Sequence, residues 1–255
     1  MVEWKSNYTK SMKTIAALFL AFIYCLGLSS CGENDDCENL SSTASTIEIL
    51  TLGDSRVEGA TPEFESYRYE LWKNLVNNNW DFDLMGSRID AGSYEKLNGL
   101  CFDNEHEGTG GATTSDNLDI LQSVTFSQVP EVALVGIGGN DLTGGVPVET
   151  VATNLGLIID ELRSLNPNII IFVEQIAPGL SSFMTPGLTT SFNDYNTEVM
   201  ALATSKNTTD SPVISIDMAA GWSDDYMADD VHYNSSGAKI VADRYYAAMD
   251  LAIEQ

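Results

Sequence analysis

From residue 47 onward, short apolar runs alternate with longer amphipathic ones, and this alternation limits the fold more than any other feature of the chain. Residues 47–52 are a β-branched run stopped by Gly53, and 82–85, 132–137, 168–173 and 213–216 are runs of the same kind. Each is short and bounded by glycine or polar residues, so each reads as a strand. Between them, residues 67–77 carry Leu71, Trp72, Leu75 and Val76 at helical spacing, and 115–124 repeat Leu118 and Leu121 behind Ser115 as N-cap. Residues 148–165 are amphipathic until Asn166-Pro167 closes them, and 192–205 and 235–253 also read as helices, the last with Ile240, Val241, Tyr245, Met249 and Ala252 on one stripe. Parallel strands need long crossovers, usually helical, so this order predicts a three-layer α/β/α sandwich around a central five-stranded parallel sheet. Continuous Val/Ile/Leu runs agree with strands covered on both faces. Residues 87–114, rich in glycine and polar groups, read as loop.

In such sheets ligands bind beyond the carboxyl ends of the strands. Gly53-Asp54-Ser55-Arg56-Val57 follows the first strand and places Ser55 as a candidate nucleophile on a glycine-flanked turn. Val57 stands where the α/β-hydrolase elbow requires glycine, which disfavours that fold. A serine needs a base, and the chain has two histidines, His106 and His232. His232 lies in Asp229-Asp230-Val231-His232, where a carboxylate three residues earlier can fix the imidazole tautomer. Gly138-Gly139-Asn140-Asp141 offers a side-chain amide to a developing oxyanion, and Gly108-Thr109-Gly110-Gly111 offers backbone N–H groups ahead of a helix. Asp54 and Asp141 are expected to bond loop backbone rather than react. Asp224, Asp225, Asp229 and Asp230 lack the spacing of a calcium loop and read as a solvated acidic loop. The chemistry written by these residues calls for no metal and no cofactor.

Gly53-Asp54-Ser55, Gly111, Gly138-Gly139-Asn140-Asp141 and Asp229 with His232 resemble, in order, the four blocks of the SGNH hydrolases, also called the GDSL family. The resemblance implies a Ser55–His232–Asp229 triad and an oxyanion hole of the Ser55 and Gly111 N–H groups with the Asn140 amide. Tyr67-Arg68, Phe82-Asp83-Leu84-Met85-Gly86-Ser87 and His106-Glu107-Gly108 are similar to its bacterial carbohydrate-esterase branch, acetylxylan-esterase-like members especially. Departures at Arg56, Gly110, Ala112 and Tyr233 bear on the acyl and leaving-group pockets. The implied activity is removal of small acyl groups, acetyl above all, from carbohydrate. Two alternatives are a lysophospholipase- or thioesterase-type lipid acyl hydrolase, and a surface glycan-binding protein without turnover. Arg56, His106 and Trp222 are candidate substrate contacts, with a prop for the neighbouring loop as the alternative role of His106.

Composition closes off other classes. With 12 basic and 37 acidic residues the net charge is −25, which repels nucleic acid and anionic membrane surfaces. Residues 1–30 read as a signal peptide, basic at Lys5, Lys10 and Lys13 and apolar over 14–28, with Met12 as a candidate natural start. Leu28-Ser29-Ser30-Cys31 resembles a bacterial lipobox, so lipid on Cys31 is expected, with 31–46 as polar linker and the hydrolase domain over 47–255. Three acyl chains would anchor it firmly at about 0.8 kcal/mol per buried CH₂. The expectation is an exported lipoprotein of the bacterial outer membrane or cell surface, touching the membrane only through that anchor. Cys37 and Cys101 are left to pair or remain free thiols.

Overall fold

Strand β1 (Ile47–Gly53) is the axis of the sheet. The structure, a computed structural model, describes residues 46–253. After β1 come α1 (Ser55–Glu58), α2 (Arg68–Asn77), β2 (Phe82–Met85), β3 (Arg88–Ile89), β4 (Glu105–Gly108) and α3 (Thr114–Ser123). Then follow β5 (Val132–Gly136), α4 (Gly139–Thr143), α5 (Val148–Leu165), β6 (Ile170–Gln175), α6 (Pro186–Lys206), β7 (Val213–Asp217), a 3-10 turn (Asp224–Tyr226) and α7 (Ser235–Ala252). The signal segment, the linker to residue 45, Cys31 and Cys37 lie outside the described residues. Cys101 is disulfide-bonded. Among the described residues no helix is long and apolar enough to cross a membrane.

The fold is α/β, with a mainly parallel sheet flanked by helices. β1 pairs with β5 on one side, β5 with β6 and β6 with β7, all parallel. Its other side is shared. Residues 47–50 pair with β2, and Leu52 and Gly53 pair with β4. The expected five-stranded sheet is therefore a seven-stranded one, in which β2 and β4 divide one position and β3 adds an antiparallel edge on β4.

Residues 87–114 are thus not all loop. The sequence of β4, Glu105-His106-Glu107, carries no apolar signal. It is buried because its polar groups are satisfied locally: Glu107 accepts from the N–H and hydroxyl of Ser87 at 2.8 and 3.0 Å, and His106 Nδ1 accepts from Gly108 N–H at 3.0 Å.

Successive strand residues point to opposite faces. Ile49, Val132, Leu134 and Phe172 pack on one side with Leu71, Trp72 and Leu75 of α2 and Val241, Tyr245 and Met249 of α7. Leu50, Leu52, Val135 and Val173 pack on the other with α3, α5 and α6. Helix α5 shows why: Val151, Leu155, Ile158, Ile159 and Leu162 recur at i, i+4, i+7, i+8 and i+11, and all are buried. Trp72 is fully buried, and truncating it to alanine would cost about 3–5 kcal/mol.

Two helix starts differ from expectation. Thr113, not Ser115, caps α3, because Asp116 completes a reciprocal capping box with it. Helix α6 begins six residues earlier than the expected Phe192, at Pro186 behind the capping Thr185.

At the carboxyl ends of the strands, Gly108, Gly53 and Gly136 lie side by side in register. A Cβ on Gly53 would sit 2.2 Å from the Gly136 carbonyl oxygen, and one on Gly108 2.4 Å from the Glu58 nitrogen. This glycine row lets α1 settle directly onto the strand ends.

Candidate active site

Helix α1 starts where β1 stops. Asp54 caps it, Oδ1 accepting the Arg56 N–H at 2.9 Å, and burial holds that carboxyl above its ordinary range despite the opposing pull of Arg56. Ser55 is the first helical residue, so its N–H is one of the orphan donors of a helix start.

The structure brings His232 and Asp229 to Ser55. His232 Nε2 lies 2.8 Å from Ser55 Oγ, and its Nδ1 lies 2.8 Å from Asp229 Oδ2. Asp229 Oδ1 also accepts from the N–H groups of Val231 at 2.9 Å and His232 at 2.8 Å. Partial burial pushes the Asp229 carboxyl up, but the bonds from the His232 ring and these two N–H groups outweigh it, and the net shift is downward. An ionised carboxylate only accepts, so the imidazole proton resides on Nδ1 and Nε2 is free to accept from the serine hydroxyl. Asn234 steadies this loop. It caps α7 by accepting from Ser236 and Gly237 N–H, and donates to the Asp225 and Met227 carbonyls.

Two side chains act on His232 in ways the sequence does not announce. Arg56, expected as a substrate contact, lines the cavity at Ser55 and turns its guanidinium to protein acceptors: Val231 O at 2.7 Å, Ala177 O at 2.7 Å and the Tyr233 hydroxyl at 3.2 Å. It thereby grips the residues on either side of His232 from the helix that carries Ser55. Phe64 stacks flat on the imidazole face. Its one sequence signal is a phenylalanine inside the polar stretch Thr61-Pro62-Glu63-Phe64-Glu65.

The groups expected to stabilise an anion lie on two neighbouring loops. Asn140 Nδ2 donates one hydrogen to Ala112 O at 3.0 Å and keeps the other. Gly111 has φ +77°, a conformation that favours glycine, and its N–H takes no partner among the described residues. Buried Asp141 ties the two loops together, accepting the Thr114 N–H at 2.9 Å and the Thr114 hydroxyl at 2.7 Å. Glu58 accepts the Gly110 N–H at 2.6 Å and pairs with Arg88 at 2.8 Å.

Against Ser55 lies a cavity of about 30 Å³ walled by Asp54, Arg56, Gly139, Asn140, Thr143, Phe192 and Val231. Trp222, expected to meet substrate, does not line it. Its indole N–H points to Met227 Sδ at 3.3 Å, and its ring packs edge-on against Tyr226 and Tyr233. His106 is buried in β4, and burial, with Arg68 nearby, pushes its imidazole down to about 3, so it is neutral across the working pH range. Asp224 accepts from the N–H and hydroxyl of Ser181. Among the described residues no group of three or more His, Cys, Asp or Glu side chains is arranged to hold a metal.

Solved structures share this fold. A carbohydrate esterase family 3 protein from Talaromyces cellulolyticus is 22% identical over 81% of this chain and 97% of its own, with TM-score 0.68. A family 3 carbohydrate esterase from Clostridium thermocellum is 25% identical over 81% and 96%, with TM-score 0.66. An acetyl xylan esterase is 18% identical over 79% and 99%, with TM-score 0.59. No curated protein sequence matches this chain. The pattern of the GDSL-like lipase/acylhydrolase family, however, matches residues 51–240, from the strand before Ser55 to the helix after His232. The chain belongs to that family, and is a carboxylic ester hydrolase of the SGNH type.

Proposed function

We propose that this esterase removes small acyl groups, acetyl above all, from carbohydrate. The observation that carries the reading is the size of the cavity at Ser55. About 30 Å³ matches a group of one or two carbons, a water needing roughly 10–15 Å³ on the same kind of measure. Carbohydrate as the leaving group draws support from the likeness to carbohydrate and acetyl xylan esterases.

In this mechanism Ser55 Oγ attacks the ester carbonyl while His232 Nε2 takes its proton. Asp229 holds the ring and offsets the charge of the imidazolium. The carbonyl oxygen becomes an oxyanion facing the Ser55 and Gly111 N–H groups and the second Asn140 amide hydrogen. Collapse expels the sugar hydroxyl, protonated by His232, and leaves an acyl-serine. Water, deprotonated by the same imidazole, then attacks the acyl carbon, releasing the carboxylic acid and restoring Ser55. Residues 14–31 support the companion reading of export and a lipid anchor at Cys31.

The test is acetate release from a panel of acetylated polysaccharides, with 4-nitrophenyl esters of rising chain length and Ser55→Ala as the blank. Acetate release and a rate falling steeply beyond the shortest esters are expected. Faster turnover of long-chain esters, or full activity in Ser55→Ala, would overturn the reading.

A further inference from the structure

A second, larger cavity of about 430 Å³ lies on the other side of α1. Its walls include Glu58 at the end of α1, Ala60 and Thr61 of the following loop, and Arg88 and Ala91 of the β3 edge, with His106 also lining it.

Two contacts tie this cavity to the chemistry. Glu58, one helical turn beyond Ser55, accepts the Gly110 N–H beside the oxyanion donor Gly111. The loop that supplies Ala60 and Thr61 runs on to Phe64, whose ring covers His232. The lining is thus linked to the oxyanion loop through Glu58 and to the His232 ring through the loop that ends in Phe64, while the small cavity lies against Ser55.

The lining has the chemistry of a sugar site. The Glu63 carboxylate can accept from sugar hydroxyls, the Thr61 hydroxyl, whose hydrogen goes to Glu65 at 2.9 Å, can accept another, and Ile89, 70% exposed, offers an apolar patch for the face of a ring. His106 spends Nδ1 on Gly108, and its Nε2–H takes no partner among the described residues. Charge selects further. Arg88 is neutralised by Glu58 and Asp90 by buried Arg68, which leaves Glu63 without a cation among the described residues. A ligand with its own carboxylates would be repelled.

Resting on the esterase reading above, we propose that this cavity binds the sugar chain from which the acyl group is cut, and that it takes an uncharged glycan rather than a uronate polymer.

Ala60 and Ala91 are both exposed and line the cavity from two different loops, so tryptophan at either fills the space without disturbing the core. Ala60→Trp and Ala91→Trp are assayed on acetylated xylo-oligosaccharides, acetylated oligogalacturonides and 4-nitrophenyl acetate, with melting temperatures checked. Each variant is expected to lose kcat/KM on the xylo-oligosaccharides at least about tenfold more than on 4-nitrophenyl acetate, mainly through KM. Equal losses on the two substrates, or none, in a folded variant would overturn the subsite and leave the esterase reading intact. Equal use of the galacturonides by the wild type would overturn the preference for an uncharged chain. Wild-type turnover of 4-nitrophenyl acetate alone would overturn the carbohydrate reading, and the subsite with it.

Discussion

The Phe64 ring lies parallel to the His232 imidazole, with centroids 3.8 Å apart and planes within 10°. An imidazole that must meet Asp229 with one nitrogen and Ser55 with the other can rotate about its own bonds, and a flat partner on its face removes that freedom. Aromatic pairs contribute about 0.5–1.5 kcal/mol beyond their burial. Phe64→Ala should therefore lower kcat by roughly threefold to tenfold, and Phe64→Tyr should restore it. Steady-state kinetics on 4-nitrophenyl acetate, with the melting temperature of the same preparation, separate ring orientation from lost packing. A kcat that falls only with the folded fraction would reduce Phe64 to a packing residue.

The two histidines should respond in opposite ways. His232→Ala removes the proposed base and should lower kcat by several orders of magnitude at a nearly unchanged melting temperature. His106→Ala empties a buried position in β4 and should lower the melting temperature with a far smaller effect on kcat. Since His106 is held down to about 3, the acid limb of the pH–rate profile should survive in His106→Gln. Loss of that limb would make His106 the base.

Asn140 is asked to do chemistry rather than hold a turn. Losing one oxyanion donor costs about 10²–10³ in kcat, or roughly 2.7–4 kcal/mol. Asn140→Ala should show that loss with KM near normal, and should still react slowly with a fluorophosphonate because Ser55 and His232 remain. An unstable variant whose folded fraction is fully active would remove the oxyanion role.

Glu174 at the end of β6 makes stability depend on pH. It is fully buried, its Oε1 accepting the Tyr245 hydroxyl at 2.7 Å, and burial pushes its carboxyl up to about 7 from 4.5. The native state binds this proton more tightly than the unfolded chain, so its contribution is full below pH 4.5 and is lost as pH rises through 7. The loss is on the order of 3 kcal/mol. Glu174→Gln keeps an acceptor for Tyr245 and should flatten the fall in melting temperature between pH 5 and pH 8, about the range set by that shift. A slope unchanged in the variant would assign the dependence to other groups.

Leu28-Ser29-Ser30-Cys31 makes a separate claim on processing. Expressed in a bacterium that matures lipoproteins, the protein should yield an acylated N-terminal peptide beginning at Cys31 by mass spectrometry. A mature chain starting elsewhere and soluble without detergent would refute the lipid anchor.

The order of strands and helices was legible because hydrophobic periodicity writes it directly, as in α5 and in the Val/Ile/Leu runs of β5 and β6. Ser55, Asn140, Asp229 and His232 could be found because each stands within a short local pattern just beyond a strand. β4 was hidden because a buried strand of Glu105, His106 and Glu107 is stabilised by hydrogen bonds to Ser87 and Gly108, which leave no trace in hydropathy. The place of Arg56 was hidden for another reason. Its acceptors are backbone carbonyls 121 and 175 residues away, and every residue has one. Phe64 belongs with it: an apolar ring in a polar stretch marks the position, but nothing local says which ring the folded chain brings near.

The shared edge of β1 has a consequence for how such an enzyme can change. Because β2 and β4 meet the same strand one after the other, residues 86–104 run out through the edge strand β3 and return to β1 at nearly the same place. That excursion is free of crossover geometry, and lengthening it costs only the logarithm of loop closure. It supplies Arg88 and Ala91 to the larger cavity, while Ser55, Asn140, Asp229 and His232 hang from other strand ends. Evolution can rewrite one wall of that cavity by insertion and deletion without moving the proposed catalytic residues.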